Sequence, residues 1–452
     1  MPAPPQGESF GAAELVSFDG GVRERVCVSR PNRDEDVRLP ADAGPRSCLG
    51  GGFSYAPAGF GGGAVAIDHR RFDRILSFDA ETGEIECEAG AMLGAIHAFL
   101  GPKGFFLPVQ PGYPGITIGG CIAADVHGKN QYRDGTFRAH VRSLRLFHPR
   151  YGEVEASREG NTEAFDLTCG GLGLTGSILS AKLRASRLPA RRIEMTRRPL
   201  PAFAGVLEAL ERAAGATDFL YSWHDVTRSG PSFGRGFLVE GRFAEDGRGG
   251  VRPEPEPRWN RLTAESRGRA FPPLLNCMTA APFNRAWNLV QRLGPARTRV
   301  GVFGFLFPVA RKVAYFHLFG RRGFHEMQWI VPRPAVQTLS RDLPALLRRR
   351  RAPVTLASCK LFRGVPSLAR FDGEGLCLAL DFPRDASSAS LAAELDRLGM
   401  DLGAVPNVGK DSRLPPEVAR AGLPGLEEFR NRLRRWDPDR LYRSALSERL
   451  EL

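Results

Sequence analysis

The chain has 452 residues, 42% hydrophobic and 25% charged, which is the composition of a folded globular protein and too long for one ordinary core, so two or three domains are expected. No window nears the roughly 20 consecutive apolar residues of a membrane span, and the start Met1 to Glu8 has neither the basic nor the apolar part of a secretory signal, so a cytoplasmic protein is expected. The formal charge of +13 comes mostly from dispersed arginines. No nucleic-acid partner is expected from it, whereas an anionic phosphate-bearing substrate or an anionic membrane surface suits a basic protein.

In chain order, Ala64–Asp68 reads as a strand, and Ile75–Asp79 and Glu84–Ala89 flank Glu81-Thr82-Gly83 as a hairpin would. Leu93, Ile96, Phe99 and Leu100 have helical spacing over Met92–Leu100. Strands follow at Val141–Phe147 and, after the turn Arg150-Tyr151-Gly152, at Ser177–Arg184. Beyond Leu188 to Arg192 the composition shifts. Helices are expected at Ala202–Ala214, Ala335–Arg349 with a kink or restart at Pro344, and Ser388–Leu398. Strands are expected at Phe219–Trp223, Val300–Phe307, Met327–Val331 and Leu376–Phe382. The run Arg348 to Arg351 suits the end of a helix, where cations meet the negative pole. Glu245–Pro257 reads as an exposed loop, and the tail Leu426–Leu452 as helical with a break at Asp437-Pro438. There is no internal repeat. The eight cysteines, Cys27, Cys48, Cys87, Cys121, Cys169, Cys277, Cys359 and Cys377, form no Cys-x-x-Cys pair, so neither structural zinc nor a disulfide framework is expected.

Three glycine-dense loops stand out. The first holds Gly50, Gly51, Gly52, Phe53, Ser54 and Tyr55; consecutive glycines let backbone N–H groups approach an anion such as a pyrophosphate. The second runs from Gln110 to Asn130. Within it Gly119, Gly120, Ala123 and Ala124 present almost no side chain, so a flat ring system could lie on the backbone, and Pro111, Gly112, Thr117, Ile118 and Gly128 of the same stretch are candidates to line it. The third is Cys169 to Gly176, with Gly171, Gly173, Thr175 and Gly176, leading into Ile178. No G-x-G-x-x-G follows a strand, which argues against a nicotinamide site.

In order and spacing these loops resemble the flavoproteins of the vanillyl-alcohol oxidase superfamily and, within it, the decaprenylphosphoryl-β-D-ribose 2′-oxidase family. The resemblance rests on Ala123-Ala-Asp-Val-His-Gly-Lys-Asn130, Gly135-Thr-Phe137, His140 to Ser143, Glu163-Ala-Phe165, Gly170 to Gly176, Asp381-Phe-Pro383, Lys410-Asp-Ser-Arg413 and the terminal Arg449-Leu-Glu-Leu452. It implies an α+β fold of two domains: a discontinuous FAD domain, residues 1–187 and 405–452, around a substrate domain, 188–404. It implies oxidation of a secondary sugar alcohol by FAD, with a prenyl-phosphate sugar as substrate, a short-chain reductase as partner in an epimerisation, and peripheral membrane contact. A soluble oxidase or dehydrogenase of another polyol, aldonolactone or sugar uses the same chemistry and stays open beside it.

Hydride transfer to a flavin requires a group that handles the hydroxyl proton or alkoxide. Lys410 is the candidate: it could hold the flavin's anionic edge, bind the alkoxide or act as base. His127 and Tyr55 accompany it, and Asn130 and His127 belong with the flavin loop. By resemblance Lys129, Trp223, Gln328 and Lys360 line the substrate pocket, the lysines as point charges for a phosphate. Phe53 stands where covalently flavinylated members carry histidine, so FAD is expected to be non-covalent. Ala379 stands where family members carry cysteine; Cys377, two residues away on the same strand face, is a weaker substitute. Glu326 stands where they carry glutamine.

Overall fold

The computed structural model describes residues 10–244, 273–311 and 313–452; the expected loop at 245–257 lies outside them. The first body is built on two sheets. One has the order β1-β2-β4-β3, from β1 (Phe10–Val16), β2 (Arg23–Ser29), β3 (Arg46–Leu49) and β4 (Val65–Asp68). The other has the order β5-β6-β10-β8-β9. Its strands are β5 (Ile75–Asp79), β6 (Glu84–Glu88), β8 (Val141–His148), β9 (Gly152–Ser157) and β10 (Ser177–Arg184). The β5–β6 hairpin turns at Gly83, whose φ of +73° is cheap only for glycine. A short pair, β7 (Phe105–Phe106) and β11 (Ser186–Arg187), closes this body.

An eight-stranded sheet follows, β15-β12-β14-β13-β17-β18-β16-β19. Its strands are β12 (Arg192–Leu200), β13 (Phe219–Asp225), β14 (Arg235–Ala244), β15 (Arg297–Gly301), β16 (Phe324–Pro332), β17 (Leu356–Phe362), β18 (Gly375–Pro383) and β19 (Val405–Pro406). The fold is thus α+β. Because side chains alternate along a strand, β16 and β18 divide their residues between two faces, and both faces are buried. Met327, Trp329, Val331, Leu376, Leu378 and Leu380 pack with Leu339, Leu343, Leu391 and Leu395 of the covering helices. The opposite face carries Glu326, Gln328, Cys377, Ala379 and Asp381, with Lys360 and Ser358 of β17 and Trp223 of β13 beside them in register.

Two expectations fail. Val300–Phe307 is strand only to Gly301 and becomes helix at Val302–Leu306; an apolar run with no clear period does not distinguish the two. The helix Val336–Arg350 runs through Pro344 without a restart. Leu339 and Leu343 on one side of it and Leu346 and Leu347 on the other are all buried. At about 1.5–3 kcal/mol per buried leucine, this outweighs the one lost hydrogen bond. Arg349 and Arg350 at its end pair with Glu394 of the next helix. The tail forms helices Leu426–Trp436 and Ala445–Leu450, interrupted at Asp437-Pro438 as expected. It packs back on the first body through Leu167, Leu172 and Leu174, and Arg443 N donates to Arg46 O.

Candidate active site

The three glycine loops meet in space. A Cβ on Gly50 would lie 2.3 Å from Thr117 Oγ1, and one on Gly51 would lie 2.4 Å from the Gly115 carbonyl. The first two loops therefore touch through their backbones, and the Phe53 ring lies 4.6 Å from that of Tyr113. The second loop joins the third through Gly170 N to Ile122 O and Leu172 N to Ala123 O. The third is braced by Thr168 and Thr175, whose hydroxyls are 3.0 Å apart, and by the Trp436 indole on Thr175 O. Ile178 continues it into β10 as a buried strand residue.

The stretch from Ile118 is helical rather than a loop: Ile118–Ala123 forms a short helix capped by Thr117, whose hydroxyl accepts from Gly120 N. Gly119 is small because Ala89 abuts it, with the Ala89 Cβ 3.0 Å from where its own would be. In the first loop the N–H groups of Gly51, Gly52, Phe53 and Ser54 donate to no protein acceptor among the described residues, and Gly52 has φ +73° with open space beside it. Four successive unpaired donors on a partly buried loop make an anion cradle, and a pyrophosphate fits that donor set.

The chain returning from the sheet completes the site. Tyr55 N and Ala56 N donate to Gly409 O, so the first loop is tied to the turn that carries Lys410. Asn407 holds that turn to β16: its N–H donates to Gln328 O and its side chain to Gln328 Oε1 at 2.6 Å. Lys410 Nζ then lies 3.7 Å from the centre of the Tyr55 ring and 3.3 Å from Glu326 Oε1. Glu326 pairs in register with Asp381 of β18, which sets the two acidic side chains side by side on one sheet face. Tyr315 donates to Asp381 Oδ2 at 3.1 Å and lies 2.8 Å from Thr355 Oγ1. Burial, and then the Glu326 carboxylate, hold Asp381 well above the usual carboxylate range.

His127 lies against Phe362 and Phe371, with ring centres 4.9 and 5.6 Å away. Burial, with Lys360 and Lys410 nearby, holds its imidazole neutral. Lys360 is the register partner of Cys377. Burial lowers the Lys360 ammonium and pushes the Cys377 thiol up to about 12, so Cys377 has no thiolate character. The structure thus brings Tyr55, His127, Gln328, Lys360, Cys377 and Lys410 together. Others are engaged elsewhere: Lys129 donates to the carbonyls of Phe305 and Leu306, and Asn130 to Pro108 O. Trp223 stacks on Phe237, centres 5.3 Å apart, on the same sheet face. Pro111 and Gly112 lead into Tyr113. Ala124 ends the short helix, and a Cβ on Gly128 would meet Asn130 Oδ1 at 2.5 Å.

Asp381 and Tyr315 were missed as site residues. An acidic residue on each of two mostly apolar strands, Glu326 and Asp381, was the available signal; their pairing needs the register.

A donor cradle of glycine loops, closed by a returning lysine over a polar sheet face, defines a flavin-dependent oxidoreductase. Residues 38–156 match the family described as FAD binding domain. Over 435 residues the chain is 29% identical to decaprenylphosphoryl-β-D-ribose oxidase of Mycolicibacterium smegmatis, covering 92% of each chain. It is 30% identical over 369 residues to an uncharacterized protein in the mprA 5′ region of Streptomyces coelicolor, covering 78% of this chain and 97% of that one. It is 24% identical to L-gulono-1,4-lactone dehydrogenase of Mycobacterium tuberculosis, over 94% of this chain and 97% of that one. The chain belongs to the decaprenylphosphoryl-β-D-ribose oxidase-like FAD-dependent oxidoreductases of the vanillyl-alcohol oxidase superfamily. FAD is its cofactor and CH–OH groups are what it oxidises. No helix among the described residues is long and apolar enough to cross a membrane.

Proposed function

We propose that the protein oxidises the 2′-hydroxyl of a polyprenyl-phosphate-linked ribose to a ketone, the first half of an epimerisation that a short-chain reductase completes. The similarity that spans 92% of both chains with the mycobacterial ribose oxidase carries this reading. Residues 1–187 and 405–452 would bind FAD without a covalent bond, and 188–404 the sugar. When bound, FAD supplies the hydride acceptor at N5. The free N–H groups of Gly51 to Ser54 would hold its pyrophosphate. Lys410, cushioned on Tyr55, would neutralise the negative charge that develops on the alkoxide and flavin edge. His127, as a neutral ring, and Gln328, through Asn407, would set the position of that lysine.

A second reading has support from Glu326. A carboxylate on the sugar-facing sheet suits the hydroxyls of a free polyol or aldonolactone, and similarity to the gulonolactone dehydrogenase also runs the length of the chain.

Contact with the inner face of a membrane would run through the helix Ala280–Leu293. Its inner face carries Ala280, Phe283 and Trp287 together with Asn284 and Asn288, which bond Val354 O and Arg235 O. Leu289, Val290 and Leu293 are exposed, as are Met278 ahead of the helix and the flanking Arg285 and Arg292. Apolar residues among cations match an anionic lipid surface.

The test is the visible spectrum of the purified protein under anaerobic conditions. Bleaching of the yellow flavin by farnesylphosphoryl-β-D-ribofuranose supports the first reading. Bleaching only by free polyols or L-gulono-1,4-lactone selects the second.

A further inference from the structure

We propose that Glu326 and Asp381 form a carboxylate–carboxylic acid pair that holds one proton between them, and that Glu326 of this pair takes the hydroxyl proton of the substrate alcohol. The inference rests on the reading of the site as that of an alcohol oxidase.

The two residues are direct register partners on β16 and β18, with 8% and 2% of their surfaces exposed. Two acidic side chains set beside each other in register at that depth do not both carry charge, so one keeps its proton. The surroundings say which. Glu326 has the ammonium of Lys410 at 3.3 Å. Asp381 has no ion-pair partner among the described residues and feels Lys410 only at longer range; its Oδ2 accepts from Tyr315, and its Oδ1 has no hydrogen-bond donor among those residues. Asp381 is therefore the acid and donates to the Glu326 carboxylate. Around the pair stand Lys410 from the returning chain, Tyr315 from the helix Val313–His317, Lys360 from β17 and Cys377 from β18; His127 faces the two lysines.

This arrangement gives the two polar tasks of alcohol oxidation to different groups. The C–H bond breaks with its electron pair leaving as hydride to the oxidised flavin. The O–H bond breaks with its proton going to the Glu326 carboxylate, and the C=O double bond forms. Lys410 then holds the oxygen charge during transfer, and the pair, carrying two protons at the end, returns one to solvent. Asp381 does not touch the alcohol; it is a positioning residue whose hydrogen bond tunes Glu326. The carboxylate also explains why a glutamate stands beside a lysine that would otherwise be a lone cation.

The test uses the holoenzyme in anaerobic stopped flow, with farnesylphosphoryl-β-D-ribofuranose and L-gulono-1,4-lactone as probes, from about pH 5 to about pH 9. Wild type should slow on the acid side. Glu326→Gln should slow bleaching by about 100-fold or more and lose that acid limb, while keeping its bound flavin spectrum. Independently of turnover, the infrared spectrum of the apoprotein should contain the carbonyl band of a buried carboxylic acid, removed by Asp381→Asn. A Glu326→Gln enzyme with the wild-type rate and profile overturns the proposal, as does absence of the carbonyl band. Should Glu326→Gln not fold, a wild-type rate without an acid limb overturns it equally. If neither alcohol bleaches the wild-type flavin, the functional reading falls and the base with it, and a persisting carbonyl band tells that failure apart from one of the pair itself.

Discussion

Lys410 reaches Glu326 across 3.3 Å, joining the chain that returns to the glycine loops with a central strand of the large sheet. The pair is partly buried: the lysine side chain is 32% exposed and the glutamate 9%. The turn that carries Lys410 is tied on both sides, Gly409 O accepting from Tyr55 N and Ala56 N while Asn407 binds Gln328.

Lys410→Met removes the cation and leaves Glu326 buried beside Asp381. A fully buried pair broken this way costs about 3–5 kcal/mol, and partial exposure of the lysine reduces that to about 1–2 kcal/mol. The melting temperature should fall accordingly, and flavin reduction should slow by about 100-fold or more. Adding Glu326→Gln should recover part of the lost stability, which a thermal double-mutant cycle measures.

Gly51→Ala tests the anion cradle. Its Cβ would lie 2.4 Å from the Gly115 carbonyl and 2.7 Å from the Phe53 ring, so the first two loops must part. FAD affinity should drop by about tenfold or more, close to 1.4 kcal/mol, in a fluorescence titration of apoprotein. Unchanged affinity would remove the first loop from the cofactor site.

Gln328→Ala removes the side-chain bond to Asn407 and leaves the turn that presents Lys410 held by the backbone bond alone. FAD should stay bound while flavin reduction slows by about tenfold. The defect should appear in the rate of reduction at saturating substrate rather than in flavin content.

Acid should destabilise the fold through buried neutral histidines. Burial holds His97 and His224 down to about 4 and His325 to about 3, whereas unfolded histidine titrates near ~6.5. Between these values the unfolded chain binds more protons, so stability is complete above the unfolded value and declines as pH falls toward the folded ones. The loss is about 1–2 kcal/mol per histidine by roughly pH 5. At His224 burial sets the sign, outweighing the Gly234 carbonyl on Nδ1, which works the other way. A melting temperature that stays flat from about pH 7 to about pH 5 contradicts this.

Replacing Leu289 and Leu293 by aspartate should abolish sedimentation with anionic phospholipid vesicles. Flavin content should not change, because the helix Ala280–Leu293 presents those residues outward. Retained vesicle binding would exclude this helix as the lipid-facing element.

Much of the site was legible one strand or loop at a time. The hairpin at Gly83 and the interruption at Asp437-Pro438 follow from turn and helix-end chemistry acting over a few residues. The glycine loops were legible because only residues without side chains allow backbone N–H groups to converge. Lys410 was legible as a candidate from its motif. The role of Lys129 was not: its partners, the carbonyls of Phe305 and Leu306, lie far along the chain at the end of a helix where a strand was expected.

By itself the sequence determined where the glycine loops lie, because backbone freedom is a property of consecutive residues, and the order of its motifs determined the cofactor class through their resemblance to a flavoprotein family. Tertiary structure alone decided which polar groups face one another. The register of β16 on β18 sets Glu326 against Asp381, and a shift of one residue would turn both into the helix-packed core. The return of the chain at Asn407 adds the lysine. Charge pairing and proton sharing are properties of distance and burial, which the order of residues along the chain does not contain.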